Sequence, residues 1–303
     1  MAFQLKEYAS GKEGPHLLIT GGVHGDEFEP MTAIRSLIRH FDSDLRLQQG
    51  SLTLIPVVNE AAFLRGHRCA GEDNLDLART CPGRPDGSVT ERTAHALSEL
   101  IRQADLYIDL HTGGTEFAVT PLAGYMMVSD PEILDRSRRM ARAFNLPVIW
   151  GTTPDLDGRS MSIARDAGIP AIYTEYLGSA TCSPDGTASN VDGCLNVMAE
   201  FGMIERDRPS SQVQHVIEDT RPGSGHMQVC HPSPIDGYFE SRVTVGELVQ
   251  KDQTLGQVVD LLGTVSHPIL ADQDGIIIML RTFPRVLSGD SVGVVAPIDP
   301  QHS

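Results

Sequence analysis

Apolar residues follow two rhythms along this chain. His16, Leu17, Leu18, Ile19 and Thr20 form a short run that ends at Gly21 and Gly22 and predicts a buried strand. From Pro30 the spacing lengthens, and Met31, Ile34, Leu37, Ile38 and Phe41 fall on one helical face. The proline sits in the first turn, where its missing N–H loses no hydrogen bond. Residues 51–57 and 105–110 read as two more strands. Between them, Ser88 with Glu91 three residues later predicts a capping box opening a helix, with Ala94, Leu97, Leu100 and Ile101 on one side. Asp130 and Pro131 open another, in which Ile133, Ser137, Met140 and Phe144 share a face. A strand at 170–175 and a helix at 194–201 complete the series. Such alternation predicts an α/β domain with a mixed, largely parallel sheet and helices on both faces.

The pattern changes near Pro209, where Pro209, Ser210, Ser211 and Gln212 make a polar, linker-like stretch. Helical periodicity then stops. Short β-rich runs begin near Gly237, Gly246, Gly256, Gly275 and Gly289, as expected of a small all-β sandwich. The expected division is an α/β domain over 1–208 and a β-rich domain over 209–303.

Charge narrows the partners. The chain has 303 residues and a net charge of −16, with 24 basic against 40 acidic side chains, and only Lys6, Lys12 and Lys251 are lysine. Nucleic acids and anionic membranes select clustered cations, so neither is an expected partner. No apolar run approaches the roughly 20 residues of a membrane span, and the first residues lack a signal-type apolar core. Cys69, Cys81, Cys182, Cys194 and Cys230 show no CxxC spacing, which argues against a disulfide framework or a cysteine metal site. A cytoplasmic location is expected.

Candidate chemistry concentrates at predicted strand ends. His24, Gly25, Asp26 and Glu27 lie on a glycine-flanked loop between a strand and a helix, where open α/β sheets place ligands. Asp109, Leu110 and His111 end another strand and lead into Thr112, Gly113 and Gly114. Together His24, Glu27 and His111 supply the two-histidine, one-carboxylate set of a catalytic zinc site, with one position open to water. Asp109 is placed to orient that set from behind. Glu175, near the end of the apolar strand, is a candidate general base, since a buried carboxylate needs a role or a partner. The poorly periodic segment 65–83 reads as a long functional loop. Within it, Arg68 and Arg79 are candidates for polarising a carbonyl and for gripping a carboxylate.

In that order, these motifs resemble the succinylglutamate desuccinylase/aspartoacylase family, relatives of the zinc carboxypeptidases, over about residues 15–205. The resemblance implies one zinc ion on His24, Glu27 and His111, with Glu175 as the catalytic glutamate. It further implies that Arg68 polarises the scissile carbonyl and that Arg79 holds a substrate carboxylate. Two departures bear on specificity. Ala78 replaces an asparagine and Cys81 a phenylalanine in the family's Asp-Leu-Asn-Arg-x-Phe-Pro-Gly segment. Relatives that cleave N-acyl aspartate carry an arginine shortly before the catalytic glutamate. Met161 aligns there, leaving Arg159 as the nearby substrate-binding candidate. The expected activity is therefore zinc-dependent deacylation of a small anionic N-acyl amino acid, such as an N-acetylated diamino acid. A metallocarboxypeptidase acting on short peptides and a non-catalytic module with a vestigial metal site remain the alternatives.

The C-terminal segment resembles a biotinyl/lipoyl-type sandwich, yet the turn at Asp260, Leu261, Leu262 and Gly263 has no lysine to carry a cofactor. A lid over the cleft or a contact in a homo-oligomer is the expected role.

Overall fold

The computed structural model describes residues 3–298. Its strands are β1 (Lys6–Ala9), β2 (His16–Thr20), β3 (Ser51–Ile55), β4 (Leu106–His111), β5 (Phe117–Met126), β6 (Val148–Thr152), β7 (Ala171–Gly178) and β8 (His215–Glu218). Its helices are α1 (Phe28–Ser43), α2 (Glu60–Arg65), α3 (Val89–Ile101), α4 (Pro131–Phe144), α5 (Ser160–Ala167) and α6 (Pro184–Glu200). Seven further strands follow: β9 (Gly237–Ser241), β10 (Leu248–Val249), β11 (Thr254–Val259), β12 (Ser266–Leu270), β13 (Gly275–Arg281), β14 (Arg285–Val286) and β15 (Gly293–Ala296).

Strands β3, β2, β4 and β7 lie side by side and parallel, with β1 antiparallel at the edge. Both faces are covered, and period-two alternation sorts the side chains. Leu17 and Ile19 meet the core beneath α1, α4 and α6, whereas Leu18 joins Ala94 and Leu97 of α3 and Met161 and Ile163 of α5. The capping box at α3 is formed: the Ser88 side chain accepts from the Glu91 N–H, and Glu91 accepts from the Ser88 N–H at 2.8 Å. Asp130 likewise caps α4, accepting from Glu132 and Ile133.

The last helix of this region begins earlier than its apolar residues predict, at Pro184 rather than near residue 194. Its buried face carries small and polar residues, including Gly186, Asn190 and Gly193. An added Cβ at Gly193 would lie 2.4 Å from the Phe144 ring, so close packing of α4 on α6 requires that glycine.

Strand β5 joins the two halves of the chain. It runs antiparallel to β7; its second half pairs with β6 and its first residues pair with β13. Beyond residue 209, β8 still extends the first sheet by pairing with β6. The later strands form a four-stranded antiparallel sheet, in the order β12-β11-β9-β14. It faces β13 and β15 across a core that includes Phe239, Leu255, Val258, Ile277 and Val295. The expected sandwich is thus present, and one of its layers continues into the α/β sheet. The β11–β12 turn exposes Leu261 and Leu262 and carries no lysine. No helix among the described residues is long and apolar enough to cross a membrane.

Candidate active site

The loop after β2 is fixed before its side chains are considered. Gly21 N–H donates to Ile55 and Asn59 N–H to Gly22, while Gly22 adopts φ +64°. A Cβ at Gly25 would lie 2.1 Å from the Ala62 carbonyl carbon, so only glycine lets this loop rest on α2. The consequence is that His24 and Glu27 point back toward the end of β4, where His111 is the last residue.

His24 Nδ1 lies 2.6 Å from one Glu27 carboxylate oxygen, and His111 Nδ1 lies 2.9 Å from the other. One donor atom from each of the three residues falls within 4.8 Å of the others. Each imidazole is held at its far nitrogen by a second carboxylate: His24 Nε2 is 3.1 Å from Asp76, and His111 Nε2 is 3.1 Å from Asp109. Asp109 also accepts from Thr20 and, through a short bond, from Ser160. With each Nε2–H given to its carboxylate, Nδ1 is the atom of either ring that would offer a lone pair to a metal ion. Burial opposes ionisation of Glu27, yet His24 and His111 outweigh it and hold the carboxyl at about 2. Three carboxylates around two imidazoles leave an excess of negative charge at the convergence point. A divalent cation balances it, so the donor set fits zinc.

Glu175 on β7 is paired in register with His111. It is buried, and its Oε2 has no hydrogen-bond partner. Burial pushes this carboxyl up to about 8, against the pull of His111 and with Glu27 adding to the rise. A carboxylate so placed is poised to exchange a proton near neutral pH.

Arg68 donates from Nε and Nη2 to one oxygen of Asp76, at 3.2 and 3.0 Å. Asp76 in turn caps the single 3-10 turn Leu77–Arg79 through the Ala78 N–H. It thereby serves His24 with one oxygen and Arg68 with the other. Burial disfavours its charge, but His24 and Arg68 keep it far below the carboxylate range. In the sequence Asp76 is an ordinary member of the Asp-Leu-x-Arg run, and the one local signal of its role is an Asx-type capping position before a helical turn. Tyr173, two residues before Glu175 on the same face, also lines the site without any motif to mark it, and its ring fills the space left by Gly124.

His24, Glu27, His111, Glu175, Arg68, Arg79 and Arg159 all line one cavity of about 120 Å³, with Ala78 and Met161. Desolvation beside the cavity and the charge of Arg159 bring the Arg79 guanidinium down to about 10. The sequence-derived residues therefore converge on one cavity, in which Arg79 lies near enough to Arg159 to feel its charge.

Residues 13–201 match the succinylglutamate desuccinylase/aspartoacylase catalytic domain, and the chain belongs to that family. Membership makes it a hydrolase of the deacylase type. Among curated relatives it is 30% identical, over 292 residues, to the N-alpha-acetyl-L-2,4-diaminobutyric acid deacetylase of Halomonas elongata. That match covers 94% of this chain and 83% of the relative. Among solved structures it resembles the product-bound ectoine utilization protein EutE (DoeB) of Ruegeria pomeroyi. The TM-score is 0.86 at 29% identity, covering 96% of this chain and 87% of that one. A succinylglutamate desuccinylase/aspartoacylase from Rhodobacter sphaeroides gives a TM-score of 0.84, also at 29% identity, with 95% and 87% covered.

Proposed function

We propose that this protein is a zinc-dependent amidohydrolase that removes the acyl group from a small anionic N-acyl amino acid. The reading rests on one arrangement: two carboxylate-backed imidazoles present Nδ1 to Glu27, and the unpartnered Oε2 of Glu175 belongs to the adjacent strand. Bound by His24, Glu27 and His111, zinc would supply Lewis acidity toward water and the acyl carbonyl. Glu175 takes the proton of the attacking water on Oε2 and returns it to the departing amine nitrogen. Arg68, steadied by Asp76, donates to the oxygen that gains charge as the carbonyl becomes tetrahedral. Arg79 and Arg159 bind the substrate carboxylate. The Halomonas relative's substrate supports an N-acetyl amino acid as the starting point.

Metal analysis of the purified protein, followed by turnover of N-acetyl and N-succinyl amino acids beside dipeptides, tests the proposal. About one zinc per chain with turnover of N-acyl amino acids is expected. Turnover of dipeptides alone would replace the deacylase with a carboxypeptidase.

A further inference from the structure

The cavity is chemically lopsided. Among the described residues lining it, the only carboxylates are Glu27 and Glu175, against the three guanidiniums of Arg68, Arg79 and Arg159. Apart from His24 and His111, the rest of the lining carries no charge: Thr112, Thr152, Ser160 and Tyr173 bring hydroxyls, and Phe117, Val119, Met227 and Met279 form an apolar wall at the seam between the two halves of the chain. Phe117 and Val119 of β5 stand opposite Arg281 and Met279 of β13 in the antiparallel register. Val119 and Met279 are buried in one apolar cluster, and Phe117 and Met227 pack against it.

This wall is built to hold its shape. The buried Arg281 guanidinium lies 4.8 Å from the centre of the Phe117 ring and is itself bound by the Ser291 and Arg285 carbonyls and by Glu116. A Cβ at Gly113 would lie 2.2 Å from the Phe117 carbonyl oxygen, so the strand start is pressed against the loop beyond His111.

We infer that Met279 and Met227, with Phe117 and Val119, set the substrate range of this site, so that the preferred N-acyl amino acid has an uncharged, apolar side chain. The inference rests on the deacylase reading. With the carboxylate at Arg79 and Arg159 and the scissile carbonyl at Arg68, the remaining arms are left with hydroxyls and the thioether and aryl wall, and with no carboxylate beyond Glu27 and Glu175. An ammonium there loses its hydration and meets no counter-charge beyond those two.

The test compares N-acetyl-L-methionine with N-acetyl-L-2,4-diaminobutyrate, both by kcat/KM with the zinc-loaded enzyme and by calorimetric binding to the E175Q variant. The methionine compound should be favoured by about tenfold or more. M279E and M227E should each move the ratio toward diaminobutyrate by a similar factor. Met227 lies outside the strands, so M227E tests the wall even if M279E fails to fold. A wild-type preference for diaminobutyrate, or an unchanged ratio in M227E, overturns the inference. Absence of turnover with every N-acyl amino acid would remove the deacylase reading instead, and the calorimetric ratio would still decide the wall.

Discussion

His111 and Glu175 occupy paired positions on the adjacent parallel strands β4 and β7, so their side chains leave the sheet on the same face. The sheet itself sets the spacing between a ligand candidate and the proposed base. Replacing Glu175 by glutamine keeps the shape and removes the basic oxygen. E175Q should lower kcat by roughly 10²–10⁴-fold, with zinc content still near one per chain. Wild-type turnover by E175Q would assign the proton transfer elsewhere.

Asp76 joins the histidine loop to Arg68. D76N retains size but weakens the acceptor behind His24. Zinc affinity, measured by competition with a chromophoric chelator, should fall roughly 10–100-fold. An unchanged affinity would show that Asp76 serves Arg68 alone.

Arg79 lines the cavity and belongs to none of the three candidate ligands, so its proposed contribution is to ground-state binding. R79A should raise KM by roughly 10–100-fold and alter kcat much less. Unaltered KM for a carboxylate-bearing substrate would take Arg79 out of the site.

Glycine at 25 is required by the backbone of α2. G25A should destabilise the fold by about 3 kcal/mol, because the added methyl meets a backbone carbonyl that has no rotamer to change. Denaturant titration reads the loss, and full stability would mean that the loop can lift off α2.

Glu218 on β8 receives a forked pair from Arg138 of α4, at 2.7 and 2.8 Å, and also accepts from Tyr125. Arg138 draws its carboxyl below the ordinary 4.5, against some desolvation and with help from Tyr125. A carboxylate lowered on folding stabilises the native state above its unfolded pKa, and the effect fades as pH falls through the folded value. The stability difference between wild type and E218Q should therefore be present at neutral pH and shrink below about pH 4.5. A difference that grows with acidity would contradict this assignment.

Much of the site was legible because its groups sit where strands end, and strand ends are marked locally. The run at 16–20 followed by two glycines, and Asp109 to His111 followed by Gly113 and Gly114, carry their own boundaries. Strand β5 does not. Pro121 and Gly124 punctuate its ten residues, and its pairing with β7, β6 and β13 is decided by partners distant in sequence. The double use of Asp76 was hidden for a similar reason, since His24 lies 52 residues away and no spacing rule connects them. Helix α6 was cut short because its buried face is made of small residues, which carry little hydropathy signal.

The pairing of β13 with β5 has a consequence for specificity. Substitutions in residues 209–303 alter a wall of the cavity without touching any of the three candidate ligands or the proposed base. Specificity and hydrolysis are thereby assigned to different stretches of the chain, so that the first can be altered by substitution while the second is kept. The same seam denies the α/β portion an independent life, since removing the tail would bare both the edge of β5 and the interior of the cavity.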